Sequence, residues 1–169
     1  ICSPSAQAKR IAIVTALQAT NSMLQGDADR LEQVFWNLIQ NAVKFTSAGG
    51  QIRVYSENLP DGRLRIEISD TGRGIEPDML TRIFEPFEQG GRTSKESLQG
   101  LGLGLAIAQR IVAGHDGQLT AASAGPGKGA TFTVLLNTHE TGTQPEVTPS
   151  ASSPSSRGGH IAPGKPEGV

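Results

Sequence analysis

Cysteine occurs once in this 169-residue sequence, as Cys2, so no internal disulfide framework can hold the chain together and a reducing compartment suits it. An excess of charge of one sign is also missing. Fifteen Lys and Arg stand against sixteen Asp and Glu, a formal charge of -1, which leaves no global basic field to attract nucleic acid or an anionic membrane. Any anion site must therefore be local. No run of 18 or more apolar residues exists to span a bilayer. The chain opens on Ile1 rather than Met and is expected to be a piece of something longer. These absences imply a soluble, cytoplasmic piece with no nucleic-acid partner and no direct membrane contact. No internal repeat is present.

Composition divides the sequence in two. From Thr138 onward, "THETGTQPEVTPSASSPSSRGGHIAPGKPEGV" holds five of the ten prolines with five serines and five glycines, and too few apolar residues to offset the entropy of ordering. The expected folded domain is 1–137, followed by a flexible linker or tail over 138–169. Within the domain, "RIAIVTALQAT" reads as a strand and "SMLQGD" as a short second one. Asp27 is placed to cap a helix in which Leu31, Val34, Phe35, Leu38, Ile39 and Ala42 recur at three and four to form one apolar face. "QIRVYSEN" and "RLRIEISD" alternate apolar with polar around Leu59-Pro60-Asp61-Gly62, a hairpin pattern. A short helix near Asp78 to Phe84, a polar stretch from Glu85 to Gln99, a helix from Leu103 to Ala113 ending at Gly114, and strands in "QLTAASA" and "ATFTVLLN" complete it. Helices and strands do not alternate strictly, so the expected fold is an α/β (α+β) two-layer sandwich with a mixed sheet covered by helices on one face.

Three constellations could carry chemistry. "QGLGLGLAIAQ" sets glycines at 100, 102 and 104 directly ahead of a helix. Glycine permits positive φ and close backbone approach, while the helix start offers unpaired amides and partial positive charge, which suits a polyphosphate. A mobile loop capped by a helix fits the same residues. A dinucleotide fingerprint is excluded because no strand precedes the glycines, and "GPGKGAT" fails as a P-loop because Ala122 occupies the place of the first glycine. "SDTGRGI" is the second constellation. Asp70 ends a strand and Gly72 and Gly74 turn the chain away, so an ionised carboxylate at a pocket floor could accept the adenine amino group and repel the O6 of guanine. A plain turn after a strand fits equally. The third is the polar stripe Asn37, Asn41 and Lys44 beside the apolar helix face, read either as solvated surface or as an Mg²⁺ ligand at Asn41 with a phosphate-balancing lysine.

In order along the chain, "NLIQNAVKFT" (37–46), "DTGRGI" (70–75), "FEPF" (84–87), "GLGLGLAI" (100–107) and "GPGKGATF" (125–132) resemble the N, G1, F, G2 and final glycine boxes of sensor histidine kinase catalytic domains. The resemblance covers essentially 1–137 and implies the Bergerat-type ATP-binding fold, with ATP and Mg²⁺ as its cofactors. Carried over by position, Asp70 would contact adenine, Asn41 would hold Mg²⁺, and Lys44 would meet phosphate. Gly72, Gly74, Ile75, Gly100, Leu101, Gly102, Leu103, Gly104, Leu105 and Thr131 would line the nucleotide. The stretch 85–99 would be a lid offering Arg92 and Lys95; a mobile polar loop accounts for both as well. Gln89 occupies a place where the family often has arginine directed at the γ-phosphate. Asp116 departs from the usual glycine pair, and Ala130 stands where Ser or Thr is common.

Hydrolysing relatives of this fold carry a glutamate base one turn before the metal asparagine. Here that position is Asn37, which cannot take the proton. The reading that follows is a domain that holds ATP for transfer to a histidine on a separate helical dimerisation and phosphoacceptor domain, upstream of Ile1, with a response-regulator receiver downstream. A nucleotide-sensing module without kinase activity and an ATPase of the same fold are the alternatives. His115-Asp116 and His139-Glu140 imitate the His-acid dipeptide of such acceptors, but neither lies on an amphipathic helix and His160 falls in the tail. No catalytic histidine is expected in this chain, and His115 is expected to be structural.

Overall fold

The structure, a computed structural model, describes residues 4–87 and 102–139. Its elements are α1 (Pro4–Ala8), β1 (Ala12–Leu17), α2 (Ala28–Phe45), β2 (Gln51–Asn58), β3 (Leu64–Asp70), α3 (Gly104–Ala113), β4 (Gln118–Ala122) and β5 (Ala130–Leu136). The strands form one five-stranded sheet in the order β1-β2-β3-β5-β4, with β1 parallel to β2 and the other pairs antiparallel. Parallel neighbours need a crossover, and α2 supplies it.

The helix begins where its sequence says it should. Asp27 sits in extended backbone, and its carboxylate accepts the Arg30 N–H at 3.1 Å. Leu31, Val34, Leu38, Ala42 and Val43 are buried, with Phe35 and Ile39 flanking them. They pack with Ala108 and Val112 of α3 against Ile52, Ile68, Phe132, Val134 and Leu136 of the sheet. Period-two alternation sends the other residues to the open face. There Arg65 pairs with Glu57 and, at 3.6 Å, with Glu67, and the Arg53 guanidinium lies 5.1 Å from the Tyr55 ring centre. The mixed sheet with helices on one face is thus as expected.

Two expected elements are absent. The segment 22–27 is not a strand: Asn side chains serve its approach instead, with Asn58 Oδ1 accepting the amides of Thr20 and Asn21 and Asn21 Oδ1 accepting that of Met23. Residues 78–84 form successive turns rather than a helix, with Arg82 N–H to Met79 O and Glu85 N–H to Arg82 O at 3.0 and 2.8 Å. Such three-residue closures end before a stable helical nucleus exists. The first strand is shorter than 10–20 because Arg10 adopts φ 53, which separates it from the unanticipated α1. The strand expected over 118–124 stops at Ala122. Beyond β5, Asn21 Nδ2 donates to His139 O at 3.0 Å and His139 N–H to Met23 O at 2.9 Å. Among the described residues, no helix is long and apolar enough to cross a membrane.

Candidate functional site

Asp70 closes β3 at a point where two loops lock together. Gly72 N–H donates to Asp70 Oδ1 at 2.8 Å. Burial pushes the Asp70 carboxyl above the ordinary carboxylate range, while the amides of Gly72 and Ala130 favour its ionised form and limit the rise. The turn after β4 is tied to this loop by backbone bonds, Gly129 N–H to Gly72 O at 3.1 Å and Gly127 N–H to Arg73 O at 2.6 Å. The close approach requires glycine. At Gly74 (φ 72) an added Cβ would lie 2.1 Å from Gly125 O, and at Gly129 (φ 69) it would lie 1.9 Å from Asp70 O. Ser123 finishes the lock: its hydroxyl accepts the Ile75 N–H at 3.0 Å and donates to Gly129 O at 2.7 Å.

The C-terminal end of α2 touches the same loop. Arg73 N–H donates to Phe45 O at 3.2 Å, and the Phe45 ring lies beneath the Arg73 guanidinium at 4.1 Å and the Lys44 ammonium at 5.0 Å. A Cβ on Gly72 would lie 2.4 Å from Phe45 O. Two turns earlier, Asn37 Nδ2 donates to Gly104 O at 3.1 Å, binding α2 to the start of α3. That start has Gly102 at φ 69 and Leu103 at the cap without a side-chain cap bond, so the first amides of Gly104 and Leu105 have no side-chain acceptor at that cap. From Asn37 to Phe45, α2 runs roughly 12 Å. The stripe of Asn37, Asn41 and Lys44 therefore joins the Asp70 loop at one end to the start of α3 at the other.

Asn37, Asp70, Gly72, Gly74, Ile75, Gly102, Leu103, Gly104 and Leu105 thus lie at or beside these contacts, with Asn41 and Lys44 on the connecting helix. Thr131 does not join them. It follows Ala130 by one residue in β5, so its side chain faces the opposite side of the sheet, with its hydroxyl 3.0 Å from that of Ser69. Ala130 is the residue opposite Asp70 in register, and it contributes an amide but no hydroxyl. Gln89, Arg92, Lys95, Gly100 and Leu101 lie outside the described residues. Asp116 takes φ 53, a left-handed conformation that Asp tolerates, so its departure from glycine is accommodated. His115 is structural: Nδ1–H donates to Ile111 O at 2.8 Å and Nε2 accepts the Asp27 N–H at 3.0 Å. Among the described residues, no group of three or more His, Cys, Asp or Glu gathers to hold a metal. Ser123 and Phe45 were not singled out by the sequence reading, which noted Ala130 only as standing where Ser or Thr is common. Ser123 was readable in principle as a small hydroxyl residue just before a glycine turn.

Over residues 26–140 the sequence matches the family described as histidine kinase-, DNA gyrase B- and HSP90-like ATPase. The chain belongs to this family. Its relatives are sensor kinases. It is 39% identical over 135 residues to the signal transduction histidine-protein kinase AtoS of Escherichia coli strain K12, covering 80% of this chain and 21% of AtoS. To the adaptive-response sensory kinase SasA of Synechococcus elongatus it is 38% identical over 126 residues, 75% of this chain and 32% of SasA. Full-length ShkA, solved in complex with AMPPNP, aligns at TM-score 0.67 and 36% identity over 79% of this chain and 27% of ShkA. The mycobacterial sensor histidine kinase MprB aligns at TM-score 0.67 and 27% identity, over 78% of this chain and 87% of the MprB chain. This histidine kinase-type ATPase domain therefore spans about a tenth to a third of the length of these curated relatives.

Proposed function

We propose that this chain binds ATP with Mg²⁺ and presents the γ-phosphoryl group to a histidine on a separate helical domain, from which it passes to a receiver aspartate in a cytoplasmic signalling pathway. The observation that carries the reading is the single helix, α2, linking a half-buried carboxylate at one end to a glycine-led helix start, with Leu103 making no side-chain cap, at the other. Asp70, fixed by the Gly72 amide, accepts the adenine amino group. The first amides of α3 and the positive φ of Gly102 receive the phosphates, with Lys44 balancing their charge.

The residues present fit Mg²⁺. This cation takes oxygen ligands and keeps phosphate and water in its shell, so one neutral amide oxygen, that of Asn41, suffices without an acidic cluster. Bound there, it would neutralise charge on the phosphates. Asn37 is an amide whose nitrogen is committed to Gly104 O, so it serves as a spacer between helices and cannot act as a base on water. Phosphoryl transfer asks mainly for positioning and charge neutralisation, which these groups supply. With His115 bonded through both ring nitrogens, the acceptor histidine belongs to another segment.

The family resemblance of the relatives to named sensor kinases and the AMPPNP complex of ShkA support this reading. The test is calorimetry with Mg-ATP on the folded chain, followed by incubation with a helical hairpin that bears a phosphoacceptor histidine. Acid-labile phosphate on that hairpin is expected. Tight ATP binding with no transfer would favour a nucleotide-sensing module, and absence of binding would end the proposal.

A further inference from the structure

We propose that Lys9, which lies before β1 and outside every sequence motif of the site, is a positioning residue that holds the last turn of α2, the turn that carries Lys44, in place and couples it to α1. The inference rests on the nucleotide reading above. Its basis is an accounting of the carbonyls at the end of α2. Helix C-termini leave several carbonyls without intrahelical partners and carry partial negative charge. Here Lys9 Nζ donates to Val43 O at 2.9 Å, Lys44 O at 2.9 Å and Thr46 O at 3.1 Å. An ammonium has three N–H donors, and all three are used. The carbonyls between and around these are filled by the backbone: Ala42 O by Thr46 N–H at 3.0 Å, Phe45 O by Arg73 N–H at 3.2 Å, and Ser47 O by Gly50 N–H at 3.0 Å.

One lysine thus satisfies every second-party need of the last turn that the loop after it leaves open. That turn carries Lys44, and Asn41 lies one turn before it. Lys9 itself is fixed by its own backbone, its carbonyl accepting the Gly49 N–H at 2.9 Å and its amide donating to Ser5 O at 3.1 Å. It therefore belongs mechanically to α1 as well as to α2. A shift of α1 withdraws the charge from the α2 terminus and loosens the residues assigned to phosphate and metal. The Asp70 loop meets this turn through one bond, Arg73 N–H to Phe45 O, but keeps anchors of its own in the Gly129 to Gly72 and Gly127 to Arg73 bonds, so it depends on Lys9 less than Lys44 does. Lys9 should consequently govern affinity for the triphosphate and leave affinity for the nucleoside nearly unchanged. By linkage, Mg-ATP should in turn tighten the Lys9 clamp.

The experiment compares wild type with Lys9→Met, which keeps the length of the side chain and removes the charge and donors. Calorimetry is run with Mg-ATP and with adenosine, alongside thermal unfolding. The expected result is an increase in Kd on the order of tenfold for Mg-ATP with adenosine unchanged within about twofold. Equal losses for the two ligands would show a general structural cap, and no loss would show no role; either overturns the inference while leaving ATP binding intact. A wild-type chain that binds no Mg-ATP overturns the functional reading, and this inference with it. Should Lys9→Met fail to fold, the wild type decides by NMR. Mg-ATP is expected to slow hydrogen exchange at the Lys9 ammonium, and an unchanged rate overturns the coupling.

Discussion

Replacing Asp70 by Asn separates what the site does from what the fold needs. The substitution keeps shape and an oxygen that can accept the Gly72 N–H, now at 2.8 Å, but removes the charge that burial disfavours. Because the folded-state carboxyl is raised, ionised Asp70 detracts from stability at neutral pH. The native state favours the protonated form, so Asp70 favours folding more as pH falls through the raised value and less as pH rises above the unfolded one. Asp70→Asn should therefore leave the melting temperature unchanged or slightly higher. Nucleotide affinity should move the other way. Of the roughly four acceptor directions of a carboxylate, the amides of Gly72 and Ala130 occupy two, leaving room for the adenine amino group. Loss of one hydrogen bond to a charged group costs about 1.5–3 kcal/mol, a Kd weakened about 10- to 150-fold. Trp36, half exposed and adjacent to Asn37, gives a fluorescence readout to set beside calorimetry. The preference for ATP over GTP should shrink in parallel. Wild-type affinity should also decline as pH falls through the raised Asp70 value, and that decline should vanish in Asp70→Asn. Unchanged ATP affinity in a folded Asp70→Asn protein would refute the assignment of the purine to this carboxylate.

Other positions test other joints of the structure. Gly129→Ala forces a side chain into φ 69 with its Cβ 1.9 Å from Asp70 O, and denaturant titration should show a loss of about 2–5 kcal/mol. His115→Phe leaves the Asp27 amide and the Ile111 carbonyl without their ring partners, so stability should drop by about 1–3 kcal/mol while Mg-ATP affinity holds within about twofold. A matching loss of affinity would mean that His115 belongs to the site. Asn37→Asp places a carboxylate against Gly104 O, where the amide now donates at 3.1 Å. It should weaken Mg-ATP binding without creating ATP hydrolysis, and a rise in steady-state phosphate release would contradict the spacer role of Asn37.

Much of this arrangement can be read from residue order, for identifiable reasons. The capping carboxylate of Asp27 and the three-and-four spacing behind it act within α2, and period-two alternation acts within β2 and β3, so local pattern and final structure agree. For Asp70, Gly72 and Gly74 only the bond from the Gly72 amide to Asp70 is local; Phe45, Gly125 and Gly129, which crowd the two glycines, lie far off in sequence. Elements decided by distant partners were less legible. Ser22–Asp27 looks extended, yet partners far away in sequence set its course: Asn58 takes the amides of Thr20 and Asn21 just before it, and His139 N–H donates to Met23 O. Thr131 faces the side of the sheet opposite Asp70, a placement that alternation from Phe132 makes readable. Lys9 left no signal at all, because its three acceptors lie 34 to 37 residues ahead.

The interlocked loops after β3 and β4 have a consequence for how the molecule comes together. The two ends of the site draw on residues around positions 45, 72 and 129 and around 37 and 104, which come together once the sheet has reached its final order. No partly folded chain can present them jointly, so nucleotide should recognise the native state alone. Saturation at a hundred times Kd would then shift the unfolding equilibrium by about 2.7 kcal/mol, making the ligand a gauge of complete folding.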